Sequence, residues 1–219
     1  MNDINLNNNK TISKDSFLSQ SDLQKSKLNN NFNNSDYNNC CDAISTILNY
    51  FGYNCENIPS MKKTPYRVME YLRETISNEN QSLKSLLSGK KIPADRYDGL
   101  VCVDNIFFYS LCEHHLTPMN GYATIIYKPN EFIVGIGSIC DLVCNAAKKL
   151  QIQEKMTQQI ADIIDEELKP EGLVVLLEAQ QHCIIGSGPK QNNSIMRTII
   201  RRGSLEKESL NYLFPLRKI

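Results

Sequence analysis

The sequence predicts an α+β domain: a mainly antiparallel sheet with a helix pair between its strands, further helices ahead of it, and a disordered tail at the N-terminus. Three observations carry that reading. Apolar residues recur at helical spacing from Ala43 to Ile76. β-Branched and aromatic runs take over from Leu100 to Ile136. Two helical stretches then separate these runs from two more. Helices, strand pair, helix pair, strand pair is the order of an α+β fold, not of alternating βαβ units.

Residues 1–39 hold twelve asparagines with serines, lysines and only scattered apolar side chains. Such a segment buries too little surface to offset its ordering entropy, so 1–39 is expected to be a disordered Asn-rich tail and 40–219 the folded domain. The tail has aspartates and no arginine, which argues against a mitochondrial presequence. Ala43, Ile44, Ile47, Leu48 and Phe51 then line one helix face, with Gly52 as the stop. Thr64-Pro65 opens a second helix with proline at its first position and an apolar face of Val68, Met69, Leu72 and Ile76. Strands are expected at 100–111, 122–127 and 132–136, and helices at 138–149 and 153–168. The second of those helices has Met156, Ile160, Ile163, Ile164 and Leu168 on one face and ends at Pro170. Strands resume at 173–178 and 195–201, and a short helix closes the chain.

Composition narrows the class. Lys plus Arg equals Asp plus Glu at 24 each, so charge gives no nucleic-acid signature, and none is expected as a partner. A hydrophobic share of 41% supports a real core, and no apolar run nears the ~18 residues of a membrane span. The eight cysteines follow no secreted framework, and no cleavable signal precedes them, so reduced thiols and a cytoplasmic location are expected.

All three histidines sit beside cysteines, in Cys112-Glu113-His114-His115 and His182-Cys183. Cys112 and His115 form a C-x-x-H pair that can turn toward one ion, and Cys183 can arrive from a distant strand as a third ligand. Three protein ligands leave one position of a tetrahedral zinc open, the catalytic rather than the closed structural arrangement. A structural zinc or a buried, satisfied histidine is the plainer alternative.

Several motifs then occur in a telling order: Thr64-Pro65-Tyr66-Arg67-Val68, Ser110-Leu111-Cys112-Glu113-His114-His115, Tyr127-Lys128-Pro129, Leu150-Gln151-Ile152-Gln153-Glu154 and Cys183. In order and spacing they resemble GTP cyclohydrolase I over about residues 40–219. The resemblance implies the tunnelling fold, in which antiparallel sheets of several subunits close a barrel, and a homo-oligomer, typically a decamer of two pentamers, with active sites between subunits. It implies a zinc enzyme that opens the imidazole ring of GTP at C8, releases formate and recloses the product as 7,8-dihydroneopterin triphosphate. It makes Cys112, His115 and Cys183 the zinc ligands and places His114 beside the substrate. Glu154, with Gln153 next to it, grips the guanine edge, where a carboxylate accepts from both the ring N–H and the exocyclic amine. Without the resemblance, Gln153 and Glu154 would read as a solvated helix start.

The chain also departs from that family. A family histidine two residues before the last zinc cysteine is Gln181 here, and the histidine falls one place later, at His182. Neighbouring strand side chains point to opposite faces, so His182 replaces the lost group only if a bulge turns it inward. Glutamine does not titrate near neutral pH and cannot shuttle a proton. The family's phosphate-binding lysine and two arginines correspond to Ser138, Asp141 and Ser187. Ser138 with Asp141 reads instead as a helix N-cap with an acidic third position, although a helix N-terminus still attracts an anion. Charge-assisted contacts contribute roughly 1.5–3 kcal/mol each, so triphosphate affinity falls steeply unless replaced. Residues 186–219 carry seven basic side chains against two acidic ones. Lys190, Arg197 and Arg201 are the candidates for a rebuilt anion site, or else belong to a solvated basic surface.

Three functions fit this pattern. One is a zinc-dependent cyclohydrolase acting on GTP with altered phosphate recognition. Another is a repurposed member acting on a less phosphorylated guanine compound or a pterin. The third is a non-catalytic purine- or pterin-binding relative.

Overall fold

β-Strands of up to twelve residues define the molecule, a computed structural model that describes residues 34–77 and 82–208. Residues 1–33 of the expected tail and residues 209–219, at the end of the chain where a short closing helix is expected, lie outside those residues. The described chain falls into two compact units that divide between Met69 and Glu70.

In the first unit, α1 (Asn34–Tyr50) starts ahead of Cys40, so the last part of the segment expected to be disordered is helical. It ends as anticipated at Gly52, whose φ of 86° is the left-handed conformation that favours glycine at a helix C-terminus. Cys41 and Cys55 are buried there. Helix α2 (Thr64–Thr75) begins at the Thr-Pro pair and runs across the division into the second unit.

The second unit is built on a five-stranded sheet. Its elements in chain order are α3 (Ser85–Ser88), β1 (Lys91–Pro93), β2 (Val101–Cys112), β3 (Pro118–Lys128), β4 (Phe132–Val134), α4 (Ile136–Ala147), β5 (Leu150–Gln151), α5 (Gln153–Leu168), β6 (Gly172–Gln181), α6 (His182–Gly186) and β7 (Met196–Gly203). The strand order is β5-β2-β3-β6-β7, and β1 pairs separately with β4. Every pairing in the large sheet is antiparallel except the short one of β5 with β2. The α+β class with a helix pair between strand pairs is therefore the observed one.

One face of the sheet holds the core. Val103, Ile106 and Phe108 of β2, Ala123, Ile125 and Tyr127 of β3, and Val175, Leu177 and Ala179 of β6 meet the buried stripes of α4 and α5. The stripe of α5 includes Met156, Ile160, Ile163, Ile164 and Leu168, as its period predicts. The opposite face exposes Phe107, Tyr109, Tyr122 and Ile199. β2 keeps its inward alternation through a bulge at Asp104-Asn105, where Asn105 adopts a φ of 61°. Asp104 holds that bulge by accepting from the Asn105 N–H at 2.8 Å and the Thr124 hydroxyl at 2.6 Å. β3 and β6 approach closely at Gly121, where a Cβ would lie 1.9 Å from the Glu178 carbonyl oxygen.

Two expectations of the sequence need correction. α4 starts at Ile136 with Gly135 as its N-cap, so Ser138 lies buried in the first turn and is not the cap. Asp141 does not guard a bare helix end; its carboxylate stands 3.7 Å from the Lys90 ammonium. The Tyr127-Lys128 motif is structural. Tyr127 is fully buried, its oxygen accepting from the Val134 N–H at 3.4 Å, and Lys128 pairs with Glu171 and Asp98. No helix among the described residues is long and apolar enough to cross a membrane.

Candidate metal centre and guanine site

β2 delivers Cys112 at its last position, and a tight turn returns the chain to β3. The Cys112 N–H donates to the Thr117 carbonyl, and the Leu116 N–H to the Cys112 carbonyl, each at 2.9 Å. Leu116 takes a φ of 53° to make that reversal. β6 runs antiparallel to β3 with Met119 opposite Gln181, which brings Cys183 to the same end of the sheet. Helix α6 begins one residue ahead of it. The sequence gives no sign of so short a helix, which replaces the strand alternation on which the expectation for His182 rested.

Cys112, His115 and Cys183 consequently converge. One ligand atom of each lies within 4.8 Å of the others, the set of three donors that meets among the described residues. Cys112 is buried, Cys183 half-buried and His115 exposed. Two thiols and an imidazole are the donors zinc favours, and three of them leave a fourth position for water. The residues thus fit the ion by donor type and separation. Burial pushes the Cys183 thiol up, the neighbouring Cys112 adds to this, and the Thr117 hydroxyl works the other way. No disulfide joins any of the eight cysteines, all of which lie among the described residues.

His114 leaves this set. Its Nδ1 is 3.8 Å from the Cys112 sulfur and its Nε2 is 4.0 Å from Glu113, with the ring exposed to solvent. His182 places Nε2 2.9 Å from the Asn120 oxygen. An amide oxygen only accepts, so Nε2 is the donor in that contact. Asn120 was not singled out from the sequence, and only the register of β3 against β6 identifies it.

The pairing of β5 with β2 brings the second motif to the first. Leu150 lies opposite Leu111, Gln151 opposite Cys112, and the Glu113 N–H donates to the Gln151 carbonyl at 3.1 Å. Immediately after this strand, α5 starts with Gln153 and Glu154 facing different environments. Glu154 is exposed and lines an open groove of about 870 Å³ with Glu113, Gln151 and Lys155. The groove shares Glu113 with the Cys-Glu-His-His turn but is not lined by the three metal donors. Gln153 turns inward and is almost fully buried. Its amide nitrogen donates to the Leu177 and Met196 carbonyls at 3.0 Å and to the Thr198 hydroxyl at 3.2 Å. Neither a solvated helix start nor an open ligand contact describes it. Gln181 joins the same network by donating to the Gln153 oxygen at 2.8 Å.

The candidate phosphate cations do not gather. Arg197 pairs with Glu178, and Arg201 donates to the Glu208 carbonyl at 3.3 Å. These two do share a face of β7, as their spacing implies, but it is the exposed face rather than the one that holds Gln153. Lys190 is exposed in the loop after α6, with a φ of 54°. Ser187 caps its own loop by donating to the Cys183 carbonyl.

The sequence profile of GTP cyclohydrolase I matches residues 40–213. The chain belongs to the GTP cyclohydrolase I family. It is 37% identical over 158 residues to GTP cyclohydrolase 1 of Rickettsia bellii (strain OSU 85-389), covering 72% of this chain and 82% of that protein. It is 36% identical over 179 residues to the Bartonella quintana (strain Toulouse) protein of the same name, covering 80% and 86%. Against GTP cyclohydrolase 1 of Helicobacter pylori (strain G27) it is 36% identical over 166 residues, covering 73% and 92%. A crystal structure of the archaeosine synthase QueF-Like in the apo form covers 50% of this chain and 99% of its own at a TM-score of 0.43 and 12% identity, too slight a likeness to bear on the fold.

Proposed function

We propose that this protein is a zinc-dependent hydrolase of the GTP cyclohydrolase I type, opening the imidazole ring of a guanine nucleotide with altered recognition of the phosphates. The observation that carries the reading is the convergence of Cys112, His115 and Cys183 at the turn that β5 links to Glu154. Zinc held by these three residues supplies a Lewis acid and an activated water for attack on the ring. Glu154 accepts hydrogen bonds from the guanine N1–H and the exocyclic amine, fixing the base by its edge. His114, exposed beside Cys112, exchanges a proton with the opening ring in this reading. Asn120 orients His182, while Gln181 holds Gln153 and, as an amide, cannot shuttle a proton. By family resemblance the protein works in the cytoplasm as a homo-oligomer, a decamer of two pentamers. The exposed aromatic face of the sheet suits burial against further subunits.

The altered phosphate recognition is favoured by the ion pairs already in place. Asp141 stands by Lys90 and Arg197 is held by Glu178, so these charges are already matched within the chain. The same pairing favours a second reading, action on a less phosphorylated guanine compound or a pterin. A non-catalytic binding role is the third. The deciding experiment is incubation of zinc-loaded protein with GTP, GMP, guanosine and dihydroneopterin, read by mass spectrometry. Formate and dihydroneopterin triphosphate from GTP support the first reading. Turnover of only the less phosphorylated compounds replaces it with the second, and tight binding without turnover replaces it with the third.

A further inference from the structure

Among the described residues, the buried side-chain oxygens and nitrogens have hydrogen-bond partners with one exception, Thr117 Oγ1. Thr117 sits in the turn that joins Cys112 to β3. Its carbonyl accepts the Cys112 N–H at 2.9 Å. Its hydroxyl lies beside the Cys183 sulfur without the geometry of a formed hydrogen bond. One residue therefore contacts both cysteines of the donor set, by its backbone on one side and its side chain on the other.

A buried hydroxyl without an acceptor costs about 1–3 kcal/mol. A neutral thiol is a weak acceptor and cannot relieve that cost. Cysteine binds metal as the thiolate, whose sulfur carries charge and accepts well. Metal binding thus converts the neighbour of Thr117 from a poor acceptor into a good one. The unmatched donor is unfavourable in the metal-free protein and matched in the loaded one.

We propose that Thr117 is a positioning residue of the metal centre, its hydroxyl donating to the Cys183 sulfur when that sulfur ligates the ion and its carbonyl fixing the Cys112 backbone. This rests on the zinc reading given above. Nothing in the spacing of the Cys-Glu-His-His segment marks Thr117; the signal is a buried, unmatched hydroxyl beside Cys183. Removing an outer-shell partner typically weakens metal binding 10–100-fold.

The test compares wild type, Thr117→Val, which keeps the shape without the hydroxyl, and Thr117→Ser, which keeps the hydroxyl. Zinc affinity is measured by chelator competition on the full chain. Thr117→Val is expected to bind zinc about 10-fold or more weakly, and Thr117→Ser to recover most of the loss. In the cobalt-substituted protein the sulfur-to-metal charge-transfer band should move to lower energy in Thr117→Val and return in Thr117→Ser. The metal-free Thr117→Val protein should melt no lower than wild type, because an unmatched hydroxyl has gone; a purely structural hydroxyl predicts the opposite. Unchanged affinity and an unshifted band in Thr117→Val would overturn the role of Thr117 while leaving the zinc reading intact. Wild type that takes up no stoichiometric zinc would overturn both.

Discussion

Gln181 donates its side-chain amide to the Gln153 oxygen across 2.8 Å, and Gln153 uses its own amide nitrogen on β6 and β7. The pair therefore ties the first turn of α5 to two strands. Gln181 is thereby part of a half-buried amide network, at the position where the resemblance to the family leads one to expect a proton-transferring histidine. Gln181→Leu leaves the Gln153 oxygen without its donor in a buried site, so it should lower stability by about 1–3 kcal/mol, read from the urea midpoint. Gln181→His retains a donor and should lose less. If the missing histidine limits the later proton transfers, that variant should also raise the ratio of pterin to ring-opened product from GTP. An unchanged ratio would assign the limit to the phosphate site.

Cys183→Ala removes a metal donor outright. Zinc affinity should fall by more than the ~10–100-fold that loss of an outer partner costs, and formate release should fall with it. Zinc content by atomic absorption and formate release by mass spectrometry check the two together. Full formate release from a metal-free variant would remove zinc from the mechanism.

Glu154 is exposed, so its replacement tests recognition with little effect on the fold. Glu154→Gln keeps the shape but loses the charge and one acceptor for the guanine edge. A charge-assisted contact contributes about 1.5–3 kcal/mol, so KM for the guanine substrate should rise roughly 10–100-fold. The urea midpoint should stay near that of wild type. A variant with unchanged KM would place the base elsewhere.

The sequence made some of this legible and left the rest to tertiary geometry. Helix α5 was readable because Met156, Ile160, Ile163, Ile164 and Leu168 repeat at 3.6 residues and Pro170 stops them. The meeting of Cys112, His115 and Cys183 was legible because thiols and imidazoles clustered in this way are the donor types one ion would draw together. Gln153 was misjudged because burial at a helix start depends on which strands lie beneath it. Here β6 and β7 supply the carbonyls that draw it in. The partners of Arg197 and Arg201 were equally hidden. Their shared face follows from spacing, but Glu178 faces Arg197 only through the β6–β7 register. β5, two residues long, falls below any periodic signal, and yet it carries Glu154 to the Cys-Glu-His-His turn.

Tyr71 and Tyr109 make a final, alkaline prediction. Their phenolic oxygens are 2.7 Å apart, and the Tyr71 pKa is pushed up to about 12. Burial is the largest cause, followed by the hydrogen bond to Tyr109 and then its charge. An unfolded tyrosine titrates near 10. The raised folded value means that this contribution to stability is complete below about pH 10 and is lost as pH climbs toward 12. Tyr71→Phe removes the titrating group, so its stability should decline less steeply than that of wild type between those two values. Around pH 8 the two should differ little, since the contact is solvent-exposed. Urea midpoints at pH 8, 10 and 11 provide the comparison, with the difference between proteins cancelling the other groups that titrate there. Parallel declines in the two proteins would show that the Tyr71–Tyr109 contact does not discriminate between the phenol and the phenolate.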